Sequence, residues 1–149
     1  PVRVMVRATE AGYEADALAL QHMLESIHAL KQLPLDGFVF GVMKDDRIDR
    51  DAMIRLLQHA YPFPVTFHKA IDVSDDIAAD IEWLNQFPQI DTILTSGGAI
   101  KAIDGIKSIL EMKEMYRGNI MAAGKIIPEV LDVLHDQLGL QWYHGRAIL

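Results

Sequence analysis

The sequence predicts an α/β protein of parallel β/α units, arranged as part of a (β/α)8 TIM barrel. Three observations carry that prediction. Short apolar runs rich in β-branched residues alternate with segments of helical period, in one continuous array. Each run closes on a polar or glycine residue (Arg7, Lys44, His68, Ser96, Gly124, His144), as the working face of a barrel is written. No Gly-rich dinucleotide fingerprint follows the first run, which argues against an open doubly wound sheet. Eight units require about 200 to 250 residues, and six strands are legible here. The 149 residues are therefore expected to form one domain, 1–149, that is an incomplete barrel.

The alternating, β-branched run Val2–Arg7 is the first strand, followed by a loop over Ala8–Ala15. Asp16 caps a helix predicted to reach about Leu33, with Leu20, Met23, Leu24, Ile27 and Leu30 on its apolar stripe and Pro34 as its stop. Phe38–Met43 is the second strand, closed by the polar turn Lys44-Asp45-Asp46. Asp49 opens a helix carrying Met53, Ile54, Leu56 and Leu57 to Ala60. A third strand begins at Pro64. The helix after it is predicted to start at Ser74 as N-cap, with acids in its first turn and Ile77, Ile81 and Leu84 buried. Asp91–Ser96 is a fourth strand ending at Gly97-Gly98, and a helix follows over about Ala102–Tyr116, with Gly118 after its end. Asn119–Gly124 is a fifth strand. Pro128 fits the first turn of the next helix, which ends near Gly139, and Leu140–Gly145 is the sixth strand.

Composition narrows the partners. A formal net charge of −7 argues against nucleic acid and against an anionic membrane surface, both of which reward basic patches. No run of 18 apolar residues appears, so no membrane span is expected. Pro1–Arg7 lacks the layout of a signal peptide. With no cysteine, disulfides and thiolate metal sites are excluded, and a cytoplasmic protein is the default expectation. A homo-oligomer is expected.

Chemistry is expected at the strand ends, and first at Pro64–Asp72. His68 falls on the inward side at the end of its strand, where it can act as acid or base with Asp72 as its orienter. Lys69 alternates to the other side, towards the helix layer or solvent. Arg7 supplies a fixed cation suited to phosphate or carboxylate, and His144 ends the last strand in the same way. Catalytic candidates are thus Arg7, His68, Asp72 and His144. Gly124-Lys125 and Gly145-Arg146 follow the last two strands, where many barrels hold a phosphate on backbone N–H groups. Thr95, Ser96, Gly97 and Gly98 complete the anion-binding candidates, with hydroxyls as donors. Asp45 and Asp46 read as solvated turn residues. His22, His28, His59 and His135 lie within helices without a partner at metal spacing, so no metal ligand is assigned.

The stretches Val65–Asp72, Ile93–Gly98, Ile120–Gly124 and His144-Gly145 together resemble the CutC family, known as copper homeostasis proteins with a TIM-barrel fold. The resemblance covers nearly the whole chain. It implies that the chain starts at the family's third strand, lacking the N-terminal two β/α units and a short C-terminal tail. Family members usually carry Pro-Arg-Gly-Gly after the arginine aligned with Arg7, where this chain reads Ala8-Thr9-Glu10-Ala11-Gly12. Copper enters as a ligand through this resemblance alone. Cu(I) favours soft thiolate or thioether donors. Of seven methionines only Met43 stands at a strand end. Two functions follow as expectations. One is cytoplasmic copper binding or handling. The other is an enzyme, isomerase or lyase in type, acting on a small anionic or phosphorylated metabolite, with no cofactor motif visible.

Overall fold

The computed structural model describes residues 1–9 and 11–145. Among these residues eight strands and five α-helices are formed. In chain order they are β1 (Arg3–Met5), α1 (Ala17–Leu30), β2 (Gly37–Phe40), β3 (Met43–Lys44), β4 (Arg47–Ile48) and α2 (Arg50–Ala60), then β5 (Val65–Phe67), α3 (Ile77–Leu84), β6 (Ile90–Thr95), α4 (Ile106–Met115), β7 (Asn119–Ala123), α5 (Pro128–Leu138) and β8 (Trp142–His144). Six of the strands make one parallel sheet in the order β1-β2-β5-β6-β7-β8, which is the order of the chain. A doubly wound sheet reverses its order at a switch point. This one does not, and it curls into half of a barrel with the helices outside.

Strand register explains the apolar runs. Phe38 pairs with Val65, Val39 with Thr66 and Phe40 with Phe67, so alternate residues share a face. Phe38, Phe40, Val65, Phe67, Ile93 and Ile120 are buried in the continuous core shared with the helices. On the inner face the Arg3 guanidinium reaches from β1 to Asp91 of β6, at 2.5 and 2.6 Å, and gives a further bond to Thr66 Oγ1 at 2.8 Å. The Asp91 hydrogen bond is the main reason this arginine holds its proton even more firmly than usual.

Caps fall largely where the sequence puts them. Asp16 accepts from Ala19 N–H at 2.8 Å and Asp49 from Ala52 N–H at 3.0 Å. Gly139 ends α5 in the left-handed region, with φ 54°. The first helix stops at Leu30, short of Leu33, because Gln32 and Leu33 turn back in 3₁₀ fashion ahead of Pro34. The helix predicted over Ala102–Tyr116 opens with a 3₁₀ turn, Ala102–Gly105, and becomes α-helical at Ile106.

Two departures matter for the site. The second strand ends at Phe40 rather than Met43, and Met43–Ile48 folds as the hairpin β3–β4. Its two central residues, Asp45 and Asp46, both take positive φ (51° and 55°), as a two-residue hairpin turn of matching twist requires. The third strand ends at Phe67, and Lys69–Val73 forms a 3₁₀ turn. The cap of α3 moves accordingly. Asp76 accepts from Ala79 N–H at 3.0 Å, while Ser74 Oγ accepts from Asp76 N–H at 3.1 Å.

Asp80 ties these two departures together. Its buried carboxylate receives Arg47 at 3.0 Å, Ile48 N–H at 3.3 Å and Ser74 Oγ–H at 2.7 Å, which fastens the hairpin to the start of α3. Replacing Asp80 by Ala leaves buried donors without an acceptor. The variant is expected to lose about 2 to 3 kcal/mol of stability in denaturant unfolding.

Candidate functional site

The C-terminal strand ends form two clusters. The first surrounds His68. This residue follows the last β5 position on the inner side and is 3% exposed. Its Nδ1 accepts from Ala70 N–H at 3.2 Å. The neutral ring therefore carries its proton on Nε2, for which the described residues offer no hydrogen-bond partner. Tyr13 packs on the imidazole with ring centroids 5.1 Å apart, and Phe67 lies 6.1 Å away. Arg7 lies over the Tyr13 ring, its Cζ 5.1 Å from the centroid, and its Nη2 donates to the Gly12 carbonyl at 2.8 Å. Burial, and then the Arg7 charge, push the His68 pKa down to about 4. The imidazole is neutral at physiological pH and presents a donor, so it is a hydrogen-bond donor to a ligand rather than a ready base.

The second cluster is built on Asp72. Its carboxylate accepts from Thr95 Oγ1 and Ser96 Oγ, from Ser96 N–H at 3.0 Å and from Gly98 N–H at 3.1 Å. Lys69 Nζ pairs with it at 3.2 Å and also donates to Ser96 Oγ. Two sequence expectations are corrected here. Among the described residues Asp72 makes no hydrogen bond to His68, so it does not orient that ring; the backbone N–H of Ala70 does. Lys69 does not point to the helix layer, because the 3₁₀ turn ends strand alternation at Phe67 and swings it onto the β6 loop. Thr95, Ser96 and Gly98 do supply a cradle of donors, but the anion in it is the protein's own carboxylate. Gly97 N–H donates to Thr95 Oγ1 at 2.8 Å and holds the hydroxyl in place.

The remaining candidates spread around the rim. Gly124 lies against the β6 loop, where a Cβ would sit 2.9 Å from that of Ser96. Gly145 approaches the Ile126 carbonyl, which a Cβ would meet at 2.5 Å. Both glycines serve close packing of neighbouring loops. Lys125 and His144 are exposed, and Arg146 lies outside the described residues. Met43, the strand-end thioether, is buried at 3% exposure in the hairpin, with its backbone N–H donating to the Tyr13 carbonyl. Among the described residues no group of three His, Asp or Glu side chains is placed to hold a metal ion, and no helix is long and apolar enough to cross a membrane. Lys69 and Tyr13 are the residues that strand alternation and motif spacing miss. The 3₁₀ turn that brings in Lys69 has no sequence signature of its own, while an aromatic in a strand-end loop was a signal available for Tyr13.

The sequential parallel sheet, curled into half of a barrel with helices outside, defines the class as an α/β protein with its polar candidates at the strand C-termini. The model of the CutC family matches residues 1–149, and the chain belongs to that family. It is 33% identical to the copper homeostasis protein cutC homolog of Caenorhabditis elegans and 31% identical to that of Homo sapiens, in each case over 99% of this chain. It spans 60% and 55% of those two proteins' lengths. The crystal structure of the CutC protein from Streptococcus agalactiae superposes with a TM-score of 0.92 at 27% identity, covering 99% of this chain and 74% of that one.

Two outcomes are expected. Because folded His68 resists protonation relative to an unfolded histidine near 6.5, the native state binds fewer protons between about pH 6.5 and 4. Stability should fall across that window by about 3 kcal/mol as pH is lowered. Denaturant unfolding at pH 7 and pH 4.5 measures the fall, which His68→Gln should flatten. Asp72→Asn removes the Lys69 partner and turns an amide N–H₂ towards existing donors. It should cost about 2 kcal/mol, read as a lower unfolding midpoint.

Proposed function

We propose that this protein takes part in copper homeostasis in the cytoplasm, the role in the names of its relatives, and that its working site is the strand-end rim, which binds a small anionic ligand. We propose also that the half-barrel belongs to a (β/α)8 barrel. Its support is the sequential parallel order and two sheet edges that find no partner strand among the described residues. Such edges favour completion by further strands or by a second copy.

The observation that carries the anion reading is the company His68 keeps. A neutral imidazole with its proton on Nε2 and the Arg7 guanidinium both pack on the Tyr13 ring. This set suits carboxylate or phosphate oxygens. It does not suit a resident copper ion. The chain has no cysteine, Met43 is buried, and Arg7 sets a positive charge beside the imidazole.

An enzymatic role, isomerase or lyase, rests on one feature: a buried neutral imidazole with its proton on Nε2 at a strand end can polarise a carbonyl. In that reading Arg7, Lys125, His144 and Arg146 hold the ligand's charge.

Calorimetric titration of the full-length protein with inorganic phosphate tests the anion site. Binding should weaken by about tenfold in Arg7→Gln. A Cu(I) titration against a tight chelator under reducing conditions is expected to show no stoichiometric capture. Capture would move the function to a metal centre, with Met43, His68 and His144 the first ligands to replace.

A further inference from the structure

We propose that Tyr13 is a positioning residue that assembles Arg7 and His68 into a two-point receptor for one small oxyanion. The inference rests on the anion reading above and deepens it. Arg7 and His68 come from different strand ends, and they share no hydrogen bond among the described residues. What they share is the Tyr13 ring: the guanidinium carbon lies 5.1 Å from its centroid and the imidazole centroid also 5.1 Å away.

The ring is itself held by backbone. The Tyr13 carbonyl accepts from Met43 N–H at 2.9 Å, and Glu14 bridges to Met43, so the loop before α1 is stitched to the β3–β4 hairpin. That hairpin is in turn anchored on buried Asp80. The imidazole is confined from below as well, since Gly41 leaves only 3.0 Å between a would-be Cβ and its Nδ1. Arg7 is exposed and long, and without a surface to lie on it would sample many rotamers. Stacked on an aromatic face, its planar fork loses less freedom when it binds.

The two donors define the ligand by chemistry. A guanidinium fork takes two oxygens of one carboxylate or phosphate, and the Nε2–H supplies one further donor. A cation would meet the Arg7 charge, and an apolar ligand would leave His68 Nε2 without an acceptor.

The test is calorimetric titration of full-length protein with inorganic phosphate and, separately, with acetate, accompanied by the NMR shift of the His68 ring protons. Tyr13→Phe keeps the ring and should bind within about twofold of the unaltered protein. Tyr13→Leu should weaken binding by about tenfold and abolish the ligand-induced His68 shift. Arg7→Lys keeps the charge without the planar fork, and should weaken binding similarly whether or not the leucine variant folds. Preference for phosphate or for acetate names the ligand class. Unchanged affinity in Tyr13→Leu or in Arg7→Lys overturns the inference and leaves the anion site standing. Failure of the unaltered protein to bind either anion overturns both.

Discussion

The rim of this half-barrel depends on one carboxylate. Asp72 leaves β5 through a 3₁₀ turn and fills the donor cradle of the β6 loop, with two hydroxyls, two backbone N–H groups and the Lys69 ammonium around it. Each bond to this charged acceptor is stronger than a neutral one. The internal anion therefore fixes the turn after β5 against the loop after β6. Through Gly124, which lies against Ser96, it also fixes the loop after β7.

That internal pairing divides the strand ends into a closed half and an open half. In the closed half the charges cancel. Lys69 is matched by Asp72 and also donates to Ser96 Oγ, so its donors are engaged within the cluster. In the open half no carboxylate pairs with Arg7 among the described residues. Burial, and then the Arg7 charge, keep the imidazole neutral, and its Nε2 carries the proton.

The order of elements was legible from the chain because it rests on strong, local signals. Apolar runs, Asp16 and Asp49 as caps, Pro128 at a first turn and Gly139 at a helix end each act within a few residues. What was not legible depends on tertiary competition. Asp45 and Asp46 read as a solvated turn, and only the docking of the hairpin on Asp80 shows why the second strand breaks at Phe40. His68 was found from its place at a strand end, but its partner was not. Asp72 stands four residues away, yet the intervening 3₁₀ turn sends its carboxylate to β6 and leaves the backbone N–H of Ala70 to hold the ring. The same turn overrides the alternation that would have sent Lys69 outward. Strand parity can be extrapolated only while the strand lasts.

The contrast between Cu(I) and these strand ends is physical. Cu(I) is soft and gains most from thiolate and thioether sulfur. This chain has no thiolate, and it spends Met43 on packing and Met112 on a contact with the Thr95 hydroxyl beneath the β6 loop. Its rim instead concentrates hard, hydrogen-bonding nitrogen, oriented by aromatic stacking and backbone amides. A rim of this make-up offers hydrogen-bond donors to anionic oxygen rather than soft donors to Cu(I).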